Sequence, residues 1–312
     1  MFTGIALKIL SAFFFTLMAA TIRWVGDVVP SGQIVFFRSL LGVVPIVIWL
    51  LWTGQLKNSV FTRNIPGHFL RSIIGCTSML FVFSALARLP LSDATVIGYA
   101  APLITIALAY FILKERVGVY RWSAVGVGLV GVCVLLWPHL SGGALAKALM
   151  GEGGEARVAQ GAFFALIGAF ASACAMVQVR RLALTEPTGA IVFYFSMFSA
   201  CISLLTIPFG WVMPEPEVMI ALLLIGGFGG VGQILLTQSY RHADASLIAT
   251  FEYTTIIWSV ALGWLVFGEV PPSTVYLGAA IIIASGVYVI FREHRLGIKR
   301  ARARKASAPP SA

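Results

Sequence analysis

The stretches YAAPLITIALAYFILKE at 99–115 and YTTIIWSVALGWLVFGE at 253–269 decide how this chain folds. They align without gaps, Tyr opens both, Glu closes both, and four of the seventeen positions are identical. A second pair lies upstream: SGQIVFFRSL at 31–40 matches TGAIVFYFSM at 188–197 at five of ten positions. Both pairs are almost free of charge, and a helix needs about 20 such apolar residues to cross the hydrocarbon of a bilayer. Read at that length, the chain gives ten spans, near 4–25, 31–53, 66–88, 92–113, 119–138, 158–181, 187–209, 217–240, 245–267 and 272–292. Each half holds five, an odd number, so the second half enters the membrane the opposite way up. Inverted repeats of this kind let two similar halves exchange conformations around a mid-membrane site, as many secondary transporters do.

The expected fold is therefore an all-α polytopic membrane protein: ten transmembrane helices in two inverted-topology five-helix repeats. Residues 1–140 form the first repeat, 141–157 a periplasmic linker rich in Gly and Ala, 158–292 the second repeat, and 293–312 a basic cytoplasmic tail.

Composition agrees. Of 312 residues, 59% are hydrophobic and 11% charged, and the mean hydropathy is +0.93. A soluble domain carries about 25% charged residues, so this apolar surface calls for lipid. The net charge of +10 does not point to nucleic acid, because Lys and Arg lie between apolar runs and in the tail. With a cytoplasmic N-terminus the inside connections hold 16 of them, Arg71 included, against 4 outside, and 9 against 4 without the tail. That bias places both termini in the cytoplasm and the protein in a bacterial inner membrane. The expected partners are a small-molecule substrate and membrane lipid, with the chain a monomer or homodimer.

Cys76, Cys133, Cys174 and Cys201 all fall in apolar segments without metal-ligand spacing, so neither a disulfide framework nor a metal is expected. His68, His139, His242 and His294 are scattered over span ends and loops. GVGLVG at 126–131 and GFGGVG at 227–232 match a dinucleotide fingerprint. That fingerprint needs a strand before it, whereas both hits lie inside apolar helices, where small residues permit close packing. No cofactor and no enzymatic activity are expected. A membrane-embedded lipid-modifying enzyme would need converging catalytic groups, and a channel a filter segment.

The repeat blocks, extended to ALARLPLSDATVIGYAAPLITIALAYFILKERV at 85–117 and FEYTTIIWSVALGWLVFGEVP at 251–271, resemble the drug/metabolite transporter superfamily, specifically its ten-helix EamA type. The resemblance implies two five-helix units around a cavity lined by helices 1–4 and 6–9, with the fourth helix of each unit ending in a Leu-Gly-Glu-like turn. The branch it is most similar to includes riboflavin and S-adenosylmethionine uptake carriers. Amino-acid and drug or metabolite exporters share the fold. Pro102 in the first half faces Ile256 in the second, so a helix break there need not be symmetric.

Ionisable groups inside spans are costly and are functional candidates by default. Arg38, about 10 Å into helix 2 by helical rise, can attract a carboxylate, phosphate or other electron-rich substrate group, or it can be a structural Arg bonded to nearby carbonyls. Glu252 in helix 9 is a candidate proton carrier or partner for a cationic substrate group, with Lys8 as its counter-charge. Tyr99 and Tyr253 occupy equivalent positions and can stack on a heteroaromatic substrate, or simply pack. Gln33, Gln178, Gln233, Gln238 and Thr250 can line the same cavity or bond between helices. Glu115 and Glu269 read as structural, bonding to loop backbone. With no ATP-binding motif, a gradient must drive transport.

Side-specific cysteine labelling tests the odd span count. The N-terminus should react only from the cytoplasm, and a cysteine in the 139–157 connection only from outside.

Overall fold

In a computed structural model, the described residues are 2–54, 56, 61–62, 64–113, 122–123, 126–127, 130–131, 133, 153–242, 248, 251–271, 273, 276–281, 283–284, 287–288 and 291–292. Among them every regular element is helical. In chain order these are α1 (Phe2–Val25), α2 (Ser31–Trp52), α3 (Ile65–Leu86), α4 (Leu91–Gly98), α5 (Ala100–Leu113), α6 (Gly153–Ala183), α7 (Thr188–Ser203), α8 (Pro216–His242) and α9 (Thr255–Phe267), with 3-10 turns at Leu204–Phe209 and Phe251–Thr254. Among the described residues, seven stretches are long and apolar enough to cross a membrane: Thr3–Val25, Ser31–Trp52, Ile65–Leu86, Asp93–Ile112, Arg157–Ala183, Thr188–Phe209 and Pro216–His242. The spans read at 119–138 and 272–292 fall largely outside the described residues.

Polarity runs inward, as it does in lipid. Val44, Ile48 and Leu51 of α2, Ile220, Leu223 and Leu224 of α8, and Trp264, Leu265 and Val266 of α9 face outward, while Lys8, Arg38, Arg71 and Asp93 are buried. Isolated large hydrophobics on a surface mean little, but outward apolar faces on several helices, with charges inside, are the mark of a bilayer protein.

Lipid gives helices little hydrophobic reason to associate, so close backbone approach must supply the attraction. The two most extensive helix pairs are α1 with α8 and α3 with α6. α2 packs on α8 and α7, α7 also on α3, and α9 on α1 and α4. The GFGGVG run lies inside α8, where it makes the seam to α1 and α2. A Cβ on Gly230 would sit 2.5 Å from Pro45 Cγ and 2.6 Å from the Gly42 carbonyl oxygen, and one on Gly226 2.4 Å from Leu41 Cβ. Ser11 Oγ donates to the Gly232 carbonyl across the same seam at 2.8 Å.

Polar links fix which helix ends meet. At one face, Arg157 at the start of α6 donates to Asp27 beyond α1 and, at 3.0 Å, to the Ala87 carbonyl beyond α3. Ser84 near the end of α3 donates to Ser31, the first residue of α2, at 2.9 Å. Burial, then the neighbouring Arg157 cation, lowers the Arg88 pKa, and Asp27 opposes them. At the other face, Thr62 before α3 donates to Glu186 after α6 at 2.8 Å, and Arg241 at the end of α8 donates to Thr188 at the start of α7 at 3.3 Å.

Of the linker expected over 141–157, residues 141–152 lie outside the described residues, and α6 begins at Gly153. At 31 residues this helix is about 46 Å long, more than the roughly 30 Å of hydrocarbon requires.

Gly230→Ala should destabilise the bundle by about 1–3 kcal/mol through overpacking, read as a lower unfolding midpoint in detergent. Gly227→Ala, whose Cβ would meet nothing within 4 Å, should be neutral or slightly stabilising.

Candidate substrate site

Lys8 and Glu252 are far apart in sequence, yet the structure brings them together as an ion pair in which Nζ donates to Oε2. The Lys8 side chain is 1% exposed and that of Glu252 26%. α1 carries Lys8 to the 3-10 turn that opens the ninth helical segment, and the Thr254 and Thr255 hydroxyls hold that turn by donating to the carbonyls of Phe251 and Glu252. Such back-bonding competes with the α-helical ladder and favours a tighter turn. Tyr253 belongs to this turn, but its side chain, like Thr250, lies outside the described residues.

The larger surprise is deeper in the bundle. Arg38 of α2 and Arg71 of α3 are both buried, at 4% and 6% exposure, and both guanidinium groups lie on the Phe195 ring of α7, with Cζ 5.3 Å and 3.9 Å from its centroid. Arg38 Nη2 donates to Gln233 Oε1 of α8 at a long 3.4 Å. Arg38 Nε and Arg71 Nε and Nη1 have no hydrogen-bond partner among the described residues, and neither arginine is paired with a carboxylate there. Each guanidinium has a glycine berth. A Cβ on Gly75 would lie 2.0 Å from Arg71 Nη1, and one on Gly229 3.0 Å from Arg38 Nε.

Arg71 is what sequence reasoning missed. It counted as an inside-connection cation, although it stands within α3, six residues after Ile65. Its position five residues past the start of its own predicted span was the available signal. Moving it inward leaves the charge bias 15 to 4 and the orientation argument unchanged.

The remaining candidates do other work. Gln33 spends both ends of its amide on Val212, donating to the carbonyl at 2.7 Å and accepting from the N–H at 3.0 Å, which staples the α7–α8 connection to the start of α2. Tyr99 is packed with Leu103, Ala162, Ala165 and Ile256 in an apolar cluster of α4, α5, α6 and α9, apart from the arginines. Gln238 is half-buried on α8 and Gln178 buried on α6. Glu269 follows a left-handed cap at Gly268 (φ 64°), where its N–H bonds the Gly263 carbonyl. Its carboxylate accepts from the Leu91 N–H at 3.0 Å, capping α4, the backbone bond expected of it; Glu115 lies outside the described residues.

The fourth and ninth segments are interrupted at corresponding places. α4 stops at Gly98 and α5 starts at Ala100, on either side of Tyr99 and four and two residues before Pro102, because Pro102 has no N–H for the Gly98 carbonyl and disfavours helix before it. In the second half the 3-10 turn gives way to α9 at Thr255, one residue from the matching point. There the threonine hydroxyls, not a proline, loosen the ladder. The two irregularities coincide although the proline is present only once.

Residues 2–137 and 159–292 match the model of the EamA-like transporter family. Among similar proteins, "Pseudopaline exporter CntI" of Pseudomonas aeruginosa is 28% identical over 91% of this chain and 94% of its own. "S-adenosylmethionine uptake transporter" of Rickettsia prowazekii is 25% identical over 88% and 87%. "Riboflavin transporter" of Vibrio cholerae is 27% identical over 83% and 83%. A solved crystal structure superposes with a TM-score of 0.68 at 21% identity over 95% of this chain and 97% of that one, a likeness of fold.

Breaking a buried ion pair on one side costs about 3–5 kcal/mol, less here because Glu252 is a quarter exposed. Lys8→Met and Glu252→Gln should each lower the unfolding midpoint more than the two together, as a double-mutant cycle in detergent will read.

Proposed function

Because this chain belongs to the EamA-like transporter family of the drug/metabolite transporter superfamily, we propose that it is a secondary carrier moving a small polar metabolite by alternating access. The family makes it a multi-pass membrane transporter and not an enzyme. The finer reading is ten spans in two inverted halves, 1–140 and 158–292, in a bacterial inner membrane with both termini cytoplasmic. The two separately matched segments support that division.

One observation carries the reading: the most extensive helix pairs map onto one another when the halves are exchanged. Replace α1 by α6, α2 by α7, α3 by α8 and α4 by α9. The α1–α8 pair becomes α6–α3, the other most extensive pair; α2–α8 becomes α7–α3; α2–α7 and α4–α9 return themselves. The end-to-end links support the inversion. The face where α1 and α3 end is where α6 begins, while the face where α6 ends is where α3 begins. Two bundles related this way can rock about their shared axis, opening the centre to alternate sides. The coincident interruptions at Tyr99 and Thr254 support a mid-membrane site, since broken helices at matching places mark such sites in carriers.

Within that frame Arg38 receives an electron-rich substrate group, and Glu252, released from Lys8 by a proton, couples transport to a gradient. Gln238 lines the inner approach. A relative named for S-adenosylmethionine uptake and one named as a riboflavin transporter suggest a heteroaromatic metabolite, and the relatives include both an uptake transporter and an exporter.

Counterflow in proteoliposomes tests this. The wild type should exchange a labelled metabolite drawn from flavins, adenosylmethionine and amino acids saturably and with pH dependence. Glu252→Gln should slow uptake about tenfold, the order of a lost charge-assisted hydrogen bond, and flatten the pH profile. Equal rate and equal pH dependence in the variant would remove Glu252 from coupling.

A further inference from the structure

We propose that Arg38 and Arg71 together form a two-point anion site, so that the ligand it takes carries two separate acidic groups, one for each guanidinium. This deepens the carrier reading and rests on it, but its evidence is local.

Arginine holds its charge, and its planar fork matches a carboxylate bidentately. An uncompensated buried cation is costly, and a second one beside it adds repulsion. Buried polar groups in folded proteins are almost all satisfied, so a cluster that is not asks for a reason. Among the described residues no carboxylate pairs with either arginine, while Lys8, in the same protein and equally buried, has its carboxylate. A structural role alone would be served by one acidic neighbour, and none stands there among the described residues.

The surroundings are built for the pair. Phe195 presents its ring to both cations, a weak attraction that orients them without neutralising them. Gly75 and Gly229 keep the space the two side chains occupy. Carrying the offset of the 99–115 and 253–269 alignment back along the chain sets Gly75 opposite Gly229, and the offset of the 31–40 alignment sets Arg38 opposite Phe195. Arg38 and its counterpart Phe195 therefore touch at this cluster, and the glycines beside the two guanidinium groups are counterparts as well. The open donors, Arg38 Nε and Arg71 Nε and Nη1, come from α2 and α3, so a ligand with two acidic groups bridges two helices that one group would engage singly.

The probe is succinate, compared with butyrate and inorganic phosphate at matched ionic strength and pH 8, on the purified full-length protein in detergent. Succinate should raise the unfolding midpoint saturably, butyrate should act at least about tenfold more weakly, and phosphate should fall short of succinate. Arg71→Gln and Arg38→Gln should each weaken succinate binding by about 10- to 100-fold, the worth of one charge-assisted bond, and bring it to the level of butyrate. Arg71→Lys, which keeps charge but loses the fork, should recover part of it. Equal effects of succinate and butyrate on the wild type overturn the proposal even if the variants fail to fold. So does stabilisation by phosphate alone, or succinate binding that survives both substitutions. Saturable counterflow of another metabolite without succinate binding would sink this inference and leave the carrier reading standing. Succinate binding without any counterflow would do the reverse.

Discussion

The bundle depends on how closely α8 can approach α1 and α2. In lipid the helices gain nothing by hiding apolar side chains from water, so their association rests on contact between backbones. Gly226, Gly230 and Gly232 supply that contact against Leu41, Pro45 and Phe15. The same seam places Gly229 beside Arg38, and so decides that a guanidinium fits at the centre. A run that looks like a nucleotide fingerprint in sequence is thus the surface on which the protein is assembled.

Two charge arrangements share this interior and are balanced differently. Lys8 and Glu252 neutralise each other, and a buried pair of that kind holds together two distant segments at some cost in desolvation. Arg38 and Arg71 lack any such partner among the described residues and are held by an aromatic ring, one long bond to Gln233 and space reserved by glycines. A carrier has use for both conditions. In the proposed carrier the satisfied pair is exchanged for a proton, and the unsatisfied one takes its counter-charge from the substrate.

The interrupted helices show how one geometry is reached by two chemistries. Before Pro102 the missing N–H and the ring's bulk end α4 at Gly98; near Thr254 two hydroxyls draw carbonyls out of the helical ladder. The sequence comparison across Pro102 and Ile256 gave no reason to expect a matched break, because residue identity is only one way of meeting a backbone requirement. Freed carbonyls and N–H groups are tolerable at that depth only where protein or substrate can meet them.

The amino-acid sequence alone determined the helical membrane class, the repeat of 31–40 in 188–197, the pairing of Lys8 with Glu252 as an expectation, and the structural part of Glu269. Each follows from hydropathy, period or charge, which act locally or between groups too costly to leave apart. It did not determine that Arg71 faces inward, that Gln33 is consumed by Val212, or that Tyr99 packs away from the arginines. Those outcomes depend on which face of a helix meets which neighbour. In a chain where apolar residues cover both inner and outer faces, only tertiary packing makes that choice.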